Sequence, residues 1–345
     1  MNVRALIVVL LLLPAAALAQ GFAGLGQTAD GFATPAPDPR FDFPRDSGPH
    51  TDFRIEWWYV TANLSSADGR DFGVQWTLFR NALAPTETTG WDSPQVWLGH
   101  FGLTTPDAHY SAETYARGGI GQAGVIADPF QAWIDDWSFV QTADGFRLSA
   151  TTQAAGYDLA LRPFGPLVFH GDAGYSVKSA DGQASYYYSQ PYLEVSGTLT
   201  LADEVVEVTG NAWLDREWSS QPLSADQAGW DWFSLSFASG DKLMAFQLRS
   251  KDGAAYTSAT WIGAGGVTTA YPDGAVLLEP LQSAKVADRQ IPVEWRVRLP
   301  DRGVDVVVKA LNPNAWMDLS VPYWEGPIGL TGTHSGNGYL EMTGY

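Results

Sequence analysis

Trp57-Trp58-Tyr59-Val60, a break at Asp68-Gly69, then Phe72-Gly73-Val74-Gln75-Trp76-Thr77-Leu78-Phe79-Arg80: two aromatic and β-branched runs joined through Asp-Gly read as a β-hairpin. Asp-Gly supplies the positive φ that a tight turn between twisted strands requires. The same succession returns at Trp230-Asp231-Trp232-Phe233, Ser239-Gly240 and Leu243-Met244-Ala245-Phe246-Gln247-Leu248-Arg249. Each copy is an aromatic strand, a turn with glycine, and an alternating strand carrying a Gln and ending in Arg. The pairing predicts a tandem of two related β-units with the seam between Asp203 and Gly229. Chance likeness between two aromatic hairpins is the alternative, and equivalent positions in the fold are what would separate the two.

Outward from the hairpins the pattern stays β. Strands are predicted at 54–64, 72–79, 96–103, 146–152, 193–201, 205–215, 230–237, 243–249, 293–299, 304–311 and 339–343. They are broken by Asp-Gly, Gly-Gly and Pro signals, the pattern of sandwiches and barrels. No long amphipathic helix is evident, so the expected class is all-β. The 345 residues divide into an N-terminal segment 1–19, a flexible leader 20–40 rich in Gly, Ala, Thr and Pro, and β-domains at 41–209 and 210–345.

In the first segment, Arg4 precedes the apolar run Ala5–Leu13 and the small-residue pattern Ala17-Leu18-Ala19. This is the grammar of a secretory signal cleaved after Ala19, with a run too short to span a bilayer. The expected product is periplasmic or secreted, without the cleavage-site cysteine that lipid anchoring requires. Its formal charge without residues 1–19 is −19, from 19 basic against 38 acidic residues. That balance excludes nucleic acid and anionic lipid surfaces as partners, since both need positive charge on the protein. With no cysteine, neither disulfides nor thiolate chemistry contribute, and stability rests on core burial. The excess lies in the aromatics, 15 Trp, 14 Tyr and 16 Phe. Such side chains fill cores, and their polar edges also suit them to line ligand cavities.

Five blocks in order carry a family resemblance: Phe43-Pro44-Arg45-Asp46-Ser47-Gly48-Pro49-His50 with Arg54-Ile55-Glu56-Trp57-Trp58-Tyr59; Ser185-Tyr186-Tyr187-Tyr188-Ser189; Gly210-Asn211-Ala212-Trp213-Leu214-Asp215-Arg216-Glu217-Trp218; Gly229-Trp230-Asp231-Trp232; and Tyr323-Trp324-Glu325-Gly326-Pro327 with Gly338-Tyr339-Leu340-Glu341-Met342-Thr343-Gly344-Tyr345. The chain resembles the AttH-like and carotenoid 1,2-hydratase (CrtC-like) family over nearly all of its length after the signal. The resemblance implies two packed lipocalin-like β-barrel domains, and it fixes no single chemistry, because the family holds hydratases of isoprenoid double bonds, relatives that steer cycloadditions and many exported members of unassigned activity.

Strand alternation in the third block puts Trp213, Asp215 and Glu217 on one face and Leu214, Arg216 and Trp218 on the other. A carboxyl beside an indole in an apolar pocket has a raised pKa and can protonate a carbon–carbon double bond, with aromatic faces stabilising the cation. The resemblance aligns Asp215 with the hydratases' acidic position. It departs at Arg216, where the family motif usually carries His, and at tyrosines 186–188, where the carotenoid enzymes tend to carry His and Trp. An Asp215–Arg216 ion pair at the domain seam is the structural alternative. Glu56 is a second candidate acid, set against an ordinary pair with Arg54. His50, on a turn, is a candidate base, set against a turn-capping hydrogen bond. The pocket candidates are Trp57, Trp58, Tyr59, Tyr186, Tyr188, Trp213, Trp230 and Trp232.

Other chemistries find little footing. The five histidines (His50, His100, His109, His170 and His334) show no pair at zinc-motif spacing, so no metal is expected. There is no Gly-x-Ser-x-Gly elbow and no phosphate loop opening a helix, so neither an α/β-hydrolase nor a nucleotide cofactor is expected. Asp135 and Asp136, between Trp133 and Trp137, fit an exposed turn as well as a sugar site. Three functions stay open: a carrier of an apolar lipid or isoprenoid, a hydratase or isomerase working through Asp215, and an accessory partner of an ABC-type export system. A monomer is expected.

Overall fold

The computed structural model describes residues 29–86, 88–202, 204–221 and 227–345. The signal segment and most of the leader lie outside the described residues. The fold is all-β, in two lipocalin-like sheets, one curled into a nearly closed barrel and one into a half-barrel. Among the described residues, helix is confined to three 3-10 turns, at Arg45–Ser47, Gly90–Asp92 and Pro300–Arg302.

The first hairpin forms as its sequence dictates. β1 (Ile55–Ser66) pairs with β2 (Asp71–Ala82), with Trp57 opposite Phe79 and Ala62 opposite Val74. Gly69 takes the left-handed φ of +85° in the turn, where any Cβ would be strained. On the other edge of β1 lies β13 (Glu204–Ser219), with Tyr59 opposite Asp215 and Thr61 opposite Trp213. The remaining strands of this sheet are β3 (Gln95–Thr104), β4 (His109–Arg117), β5 (Ala123–Ala127), β6 (Phe130–Ile134), β7 (Trp137–Thr142), β8 (Gly145–Thr151), β9 (Ala155–Pro163), β10 (Val168–Phe169), β11 (Tyr175–Val177) and β12 (Ala184–Leu201). They run in the order β4-β3-β2-β1-β13-β12-β9-β8-β7-β6-β5, with β10 and β11 also pairing with β12.

The second sheet contains β14 (Gln227–Phe237), β15 (Lys242–Ser250), β16 (Tyr256–Ile262), β17 (Thr268–Tyr271), β18 (Leu277–Val286), β19 (Arg289–Leu299), β20 (Val304–Ala310), β21 (Trp316–Met317), β22 (Tyr323–Gly332) and β23 (Gly336–Met342). Its order is β17-β16-β15-β14-β23-β22-β20-β19-β18, with β21 on β22. The two hairpins therefore hold equivalent places. In each sheet the first hairpin strand sits between its partner and the unit's last long strand: β2-β1-β13 in one, β15-β14-β23 in the other. Each hairpin also ties a buried acid on its first strand to an arginine on its second, Glu56 to Arg80 and Asp231 to Arg249.

The expected division at 209/210 falls inside β13, which pairs with β1 from Val208 to Ser219 and belongs to the first sheet. The chain changes sheets after Ser219 and before Gln227. Gly210, read as opening a new unit, is instead a mid-strand glycine. A Cβ there would meet the Asn63 carbonyl oxygen at 2.0 Å, so glycine is the residue that lets the two strands approach.

Among the described residues four apolar clusters result, the smallest around Ile55, Phe79, Leu98, Met317 and Tyr323. One fills the first barrel, around Trp58, Trp76, Phe101, Phe139 and Leu159. A second fills the curve of the other sheet, around Phe233, Trp295, Val306 and Leu340. A third joins the sheets through Tyr59, Tyr187, Trp213, Trp232, Met244 and Phe246. β1 over most of its length and the second half of β13 are covered on both faces, so both of their side-chain rows are buried there, Asp215, Arg216 and Glu217 among them.

Candidate active site

The period of two decides what faces the joint between the sheets. From β1 it sends Trp57 and Tyr59, from β13 Asp215 and Glu217, and from β12 Ser185 and Tyr187. Trp230, Trp232, Phe246, Leu248 and Glu341 close the cavity from the second sheet, with Lys178 at its side. The enclosed volume is about 120 Å³. A cavity of roughly 150 Å³ holds benzene, so this one holds about one branched five-carbon unit, and the rest of a larger ligand must lie toward the mouth.

Asp215 is the chemical centre of this space and is only 3% exposed. Its Oδ2 accepts from the Tyr187 hydroxyl at 2.7 Å, and its Oδ1 accepts from the Trp213 indole N–H at 2.6 Å and from the Ser189 hydroxyl. Those three donors favour the charged form, but burial outweighs them. With the nearby Glu217 charge adding to it, burial pushes the Asp215 carboxyl up to about 7. Behind these donors stands another layer. Trp232 Nε1 donates to the Tyr187 hydroxyl at 3.0 Å, and His170 Nε2 lies 2.6 Å from the Ser189 hydroxyl. Tyr187 and Ser189 are thereby each held by a residue behind them.

Two further carboxyls, Glu217 and Glu341, line the cavity with Asp215, and a third, Glu325, stands behind Tyr59. Glu217 pairs with Lys178 Nζ at 2.8 Å and accepts from the Ser185 hydroxyl. Glu341, on the opposite wall, accepts from Trp230 Nε1, and burial pushes it up to about 7. Glu325 accepts from the Tyr59 hydroxyl at 2.5 Å across the two sheets, and burial raises it well above the usual carboxylate range. Lys178 Nζ also sits over the Tyr187 and Phe246 rings, at 4.8 and 4.4 Å. The site thus combines acids whose pKa burial has raised, one ion pair and aromatic faces around a single small cavity.

Of the other two candidates for acid–base work, Glu56 lies on the opposite face of β1, and His50, in the segment before β1, packs against that face. Glu56 is fully buried and draws its ion pairs from neighbouring strands: Arg80 on β2, and Arg216 on β13 at 2.6 Å. This corrects the expected pair with Arg54, which would have run along a single strand. It also disposes of the Asp215–Arg216 alternative, because the two residues point to opposite faces. Burial raises the Glu56 carboxyl, but Arg80, Arg216 and His50 outweigh it and hold the group well below its ordinary range. His50 lies between Glu56 Oε2 at 3.2 Å and Asp46 Oδ1 at 3.3 Å, with its ring stacked on Trp218 at 3.9 Å. Glu56 and His50 are therefore parts of a buried ionic network remote from the cavity that holds Asp215.

The pocket candidates divide in the same way. Trp57, Tyr59, Trp230 and Trp232 line the cavity. Trp213 stands behind Asp215 and orients it. Trp58 and Tyr188 belong to the opposite face, and Tyr186 packs against Phe41, Phe53 and Trp218. The sequence reading took the wrong phase of the tyrosine run. Tyr187, opposite Glu217 in the β12–β13 register, is the one that reaches Asp215. Antiparallel partners share a face, so pairing the two blocks by register would have found it. Lys178 lay in none of the five blocks, and Glu341, though it stands in the fifth, was not singled out as a site residue.

The profile of the AttH-like family matches residues 34–345. The chain belongs to the AttH-like family. An AttH from Nitrosomonas europaea shares 35% identity and superposes with a TM-score of 0.82, over 91% of this chain and all of that one. Kievitone hydratase from Nectria haematococca gives a TM-score of 0.69 at 15% identity, over 91% of this chain and 96% of its own. CghA with Sch210972 gives 0.55 at 15% identity, over 94% and 97%. At that identity the last two bear on the AttH-like fold alone. No curated protein sequence matches the chain.

Proposed function

We propose that the protein binds an apolar, olefin-bearing small molecule between its two sheets and adds water across, or shifts, a double bond, with Asp215 as general acid. The observation that carries this is the Asp215 carboxyl on the wall of a cavity lined also by Trp57, Trp230 and Trp232, where burial pushes it up to about 7. Carrying a lipid needs the cavity but not an acid kept protonated inside it, and a scaffold for an export assembly needs neither. The hydratase among the structures of like fold is consistent with this reading.

The chemistry follows from the residues present. Protonated Asp215 gives its proton to one olefinic carbon, and the other becomes a carbocation. Trp57, Trp230 and Trp232 turn aromatic surface into the cavity, where such a cation gains from the π faces. Water adds to the cation and loses a proton to the Asp215 carboxylate, which restores the acid, and the net reaction is olefin plus water to alcohol. Loss of a neighbouring proton instead of capture of water gives the isomer. The signal-like pattern of residues 1–19 supports a reaction outside the cytoplasm.

The test uses short isoprenoid olefins in ¹⁸O-labelled water, with the alcohol product scored by mass. Asp215→Asn should lower product formation by about 10²–10⁴-fold, the usual worth of general acid catalysis, and leave olefin affinity nearly intact. Undiminished turnover in Asp215→Asn would remove the residue from the mechanism.

A further inference from the structure

The three partners of the Asp215 carboxyl differ in what they can do with a proton. Trp213 Nε1 carries a hydrogen and no lone pair, so it only donates, at 2.6 Å to Oδ1. Tyr187 is nearly as constrained. Its oxygen already accepts from Trp232 Nε1 at 3.0 Å, and its single hydrogen goes to Oδ2 at 2.7 Å. Ser189 is the exception, because a hydroxyl between Asp215 Oδ1 and His170 Nε2 can donate to either and accept from either. Which it does depends on where the imidazole carries its hydrogen.

His170 is held firmly for this contact. It follows β10, its backbone N–H donates to the Tyr187 carbonyl at 3.1 Å, and its carbonyl accepts from the Gly174 N–H at 2.9 Å. Its ring is fully buried and packs on the Tyr187 ring at 4.2 Å. Burial, with the Lys178 charge adding to it, lowers the ring's pKa well below its ordinary value, so the imidazole is neutral and carries one hydrogen. Two observations place that hydrogen on Nε2. Nδ1 is buried with no hydrogen-bond partner among the described residues, and an orphaned buried N–H is among the rarest groups in folded proteins. Ser189 must also donate to Asp215 whenever the carboxyl is ionised. With its only hydrogen spent there, its oxygen would face a bare Nε2 lone pair at 2.6 Å unless Nε2 brings the hydrogen.

We propose that His170 is a positioning residue for the proton of Asp215: its Nε2–H holds Ser189 as a donor, which confines the acid proton to Oδ2. The role rests on Asp215 being the acid of the olefin chemistry in the joint. A carboxyl has four lone-pair positions. Trp213 and Ser189 fill both of those on Oδ1, and Tyr187 fills one on Oδ2. The proton takes the position that remains, where no hydrogen bond among the described residues holds it back from an olefin. With the histidine hydrogen on Nδ1 instead, Oδ1 would give its proton to Ser189 and Ser189 would give its own to Nε2. The acid would then be bound into the wall behind it.

The test needs no olefin. With ¹⁵N-labelled histidine in the full chain at pH 7, the His170 ring nitrogens are assigned by their loss in His170→Phe. A neutral ring with its hydrogen on Nε2 is expected. A hydrogen on Nδ1, or a doubly protonated ring, overturns the proposal. The Asp215 midpoint, followed through its ¹³C carboxyl resonance, supplies a second readout. In His170→Phe, Ser189 is free to accept from Asp215, which favours the protonated acid, so its dissociation constant should fall by about tenfold, the worth of one neutral hydrogen bond. In His170→Gln the side-chain amide still donates to Ser189, and the midpoint should return toward wild type. A histidine that only fills space would give no such rescue. A midpoint unmoved in His170→Phe, or raised equally in both variants, therefore overturns the proposal too. Failure here is distinct from failure of the olefin chemistry, which alcohol formation by wild type and Asp215→Asn reports.

Discussion

Replacing Glu56 with glutamine should damage the fold far more than it damages any chemistry. Glu56 is fully buried, and so are both of its guanidinium partners, Arg80 and Arg216. Its two oxygens also accept from the His50 backbone N–H, at 2.9 and 3.1 Å. Glutamine keeps the shape but removes the charge, and its NH₂ end must face donors that now find no acceptor. Breaking one partner out of a buried ion pair costs about 3–5 kcal/mol, a large share of the ~5–15 kcal/mol by which domains are stable. Urea denaturation at pH 7, read as a fall in midpoint at constant slope, measures the loss. The acid limb supplies a second check. The folded-state pKa of Glu56 is depressed, so its contribution is complete above the unfolded value of ~4.3 and is lost as pH falls below it. Wild type should therefore lose more stability than Glu56→Gln on acidification below about pH 4. A loss under about 1 kcal/mol at pH 7, or identical acid limbs, would refute the view of Glu56 as a structural anion.

Asp215→Asn should show the opposite linkage. Its folded pKa lies near 7 against ~3.9 unfolded, so wild-type stability should fall as pH rises between those values, by at most about 1.4 kcal/mol per unit. The variant should lack that part of the slope in urea midpoints taken from pH 5 to 8. Tyr187→Phe removes a donor that favours the Asp215 carboxylate, so in ¹³C-observed titrations the acid's midpoint should rise above that of wild type.

Much of this molecule could be read from its sequence, and the limits have physical causes. The hairpins at 57–80 and 230–249 were legible because Asp-Gly or Ser-Gly turns and two-residue alternation are local signals. The strands from 109 to 142 were not, because β4 is a partly exposed edge strand of mixed polarity and β5 to β7 are short. The faces of β13 followed from alternation, which placed Asp215 and Trp213 together. Which tyrosine of the 186–188 run joins them depends on the register between β12 and β13, and register is a long-range property that one strand's sequence does not contain. The partners of Glu56 were missed for the same reason, since Arg80 and Arg216 arrive from neighbouring strands. Lys178 and Glu341 reach the cavity only because two sheets pack face to face.

The protonation state of Asp215 near neutral pH carries the functional reading, and it can be observed directly. With ¹³C-labelled aspartate, the Asp215 carboxyl resonance is assigned by its loss in Asp215→Asn and followed from pH 4 to 9. A midpoint near 7 is expected from its burial. A midpoint close to the ordinary ~3.9 of an exposed aspartate would mean that the group is ionised at working pH, has no proton to give, and is not the acid of this site.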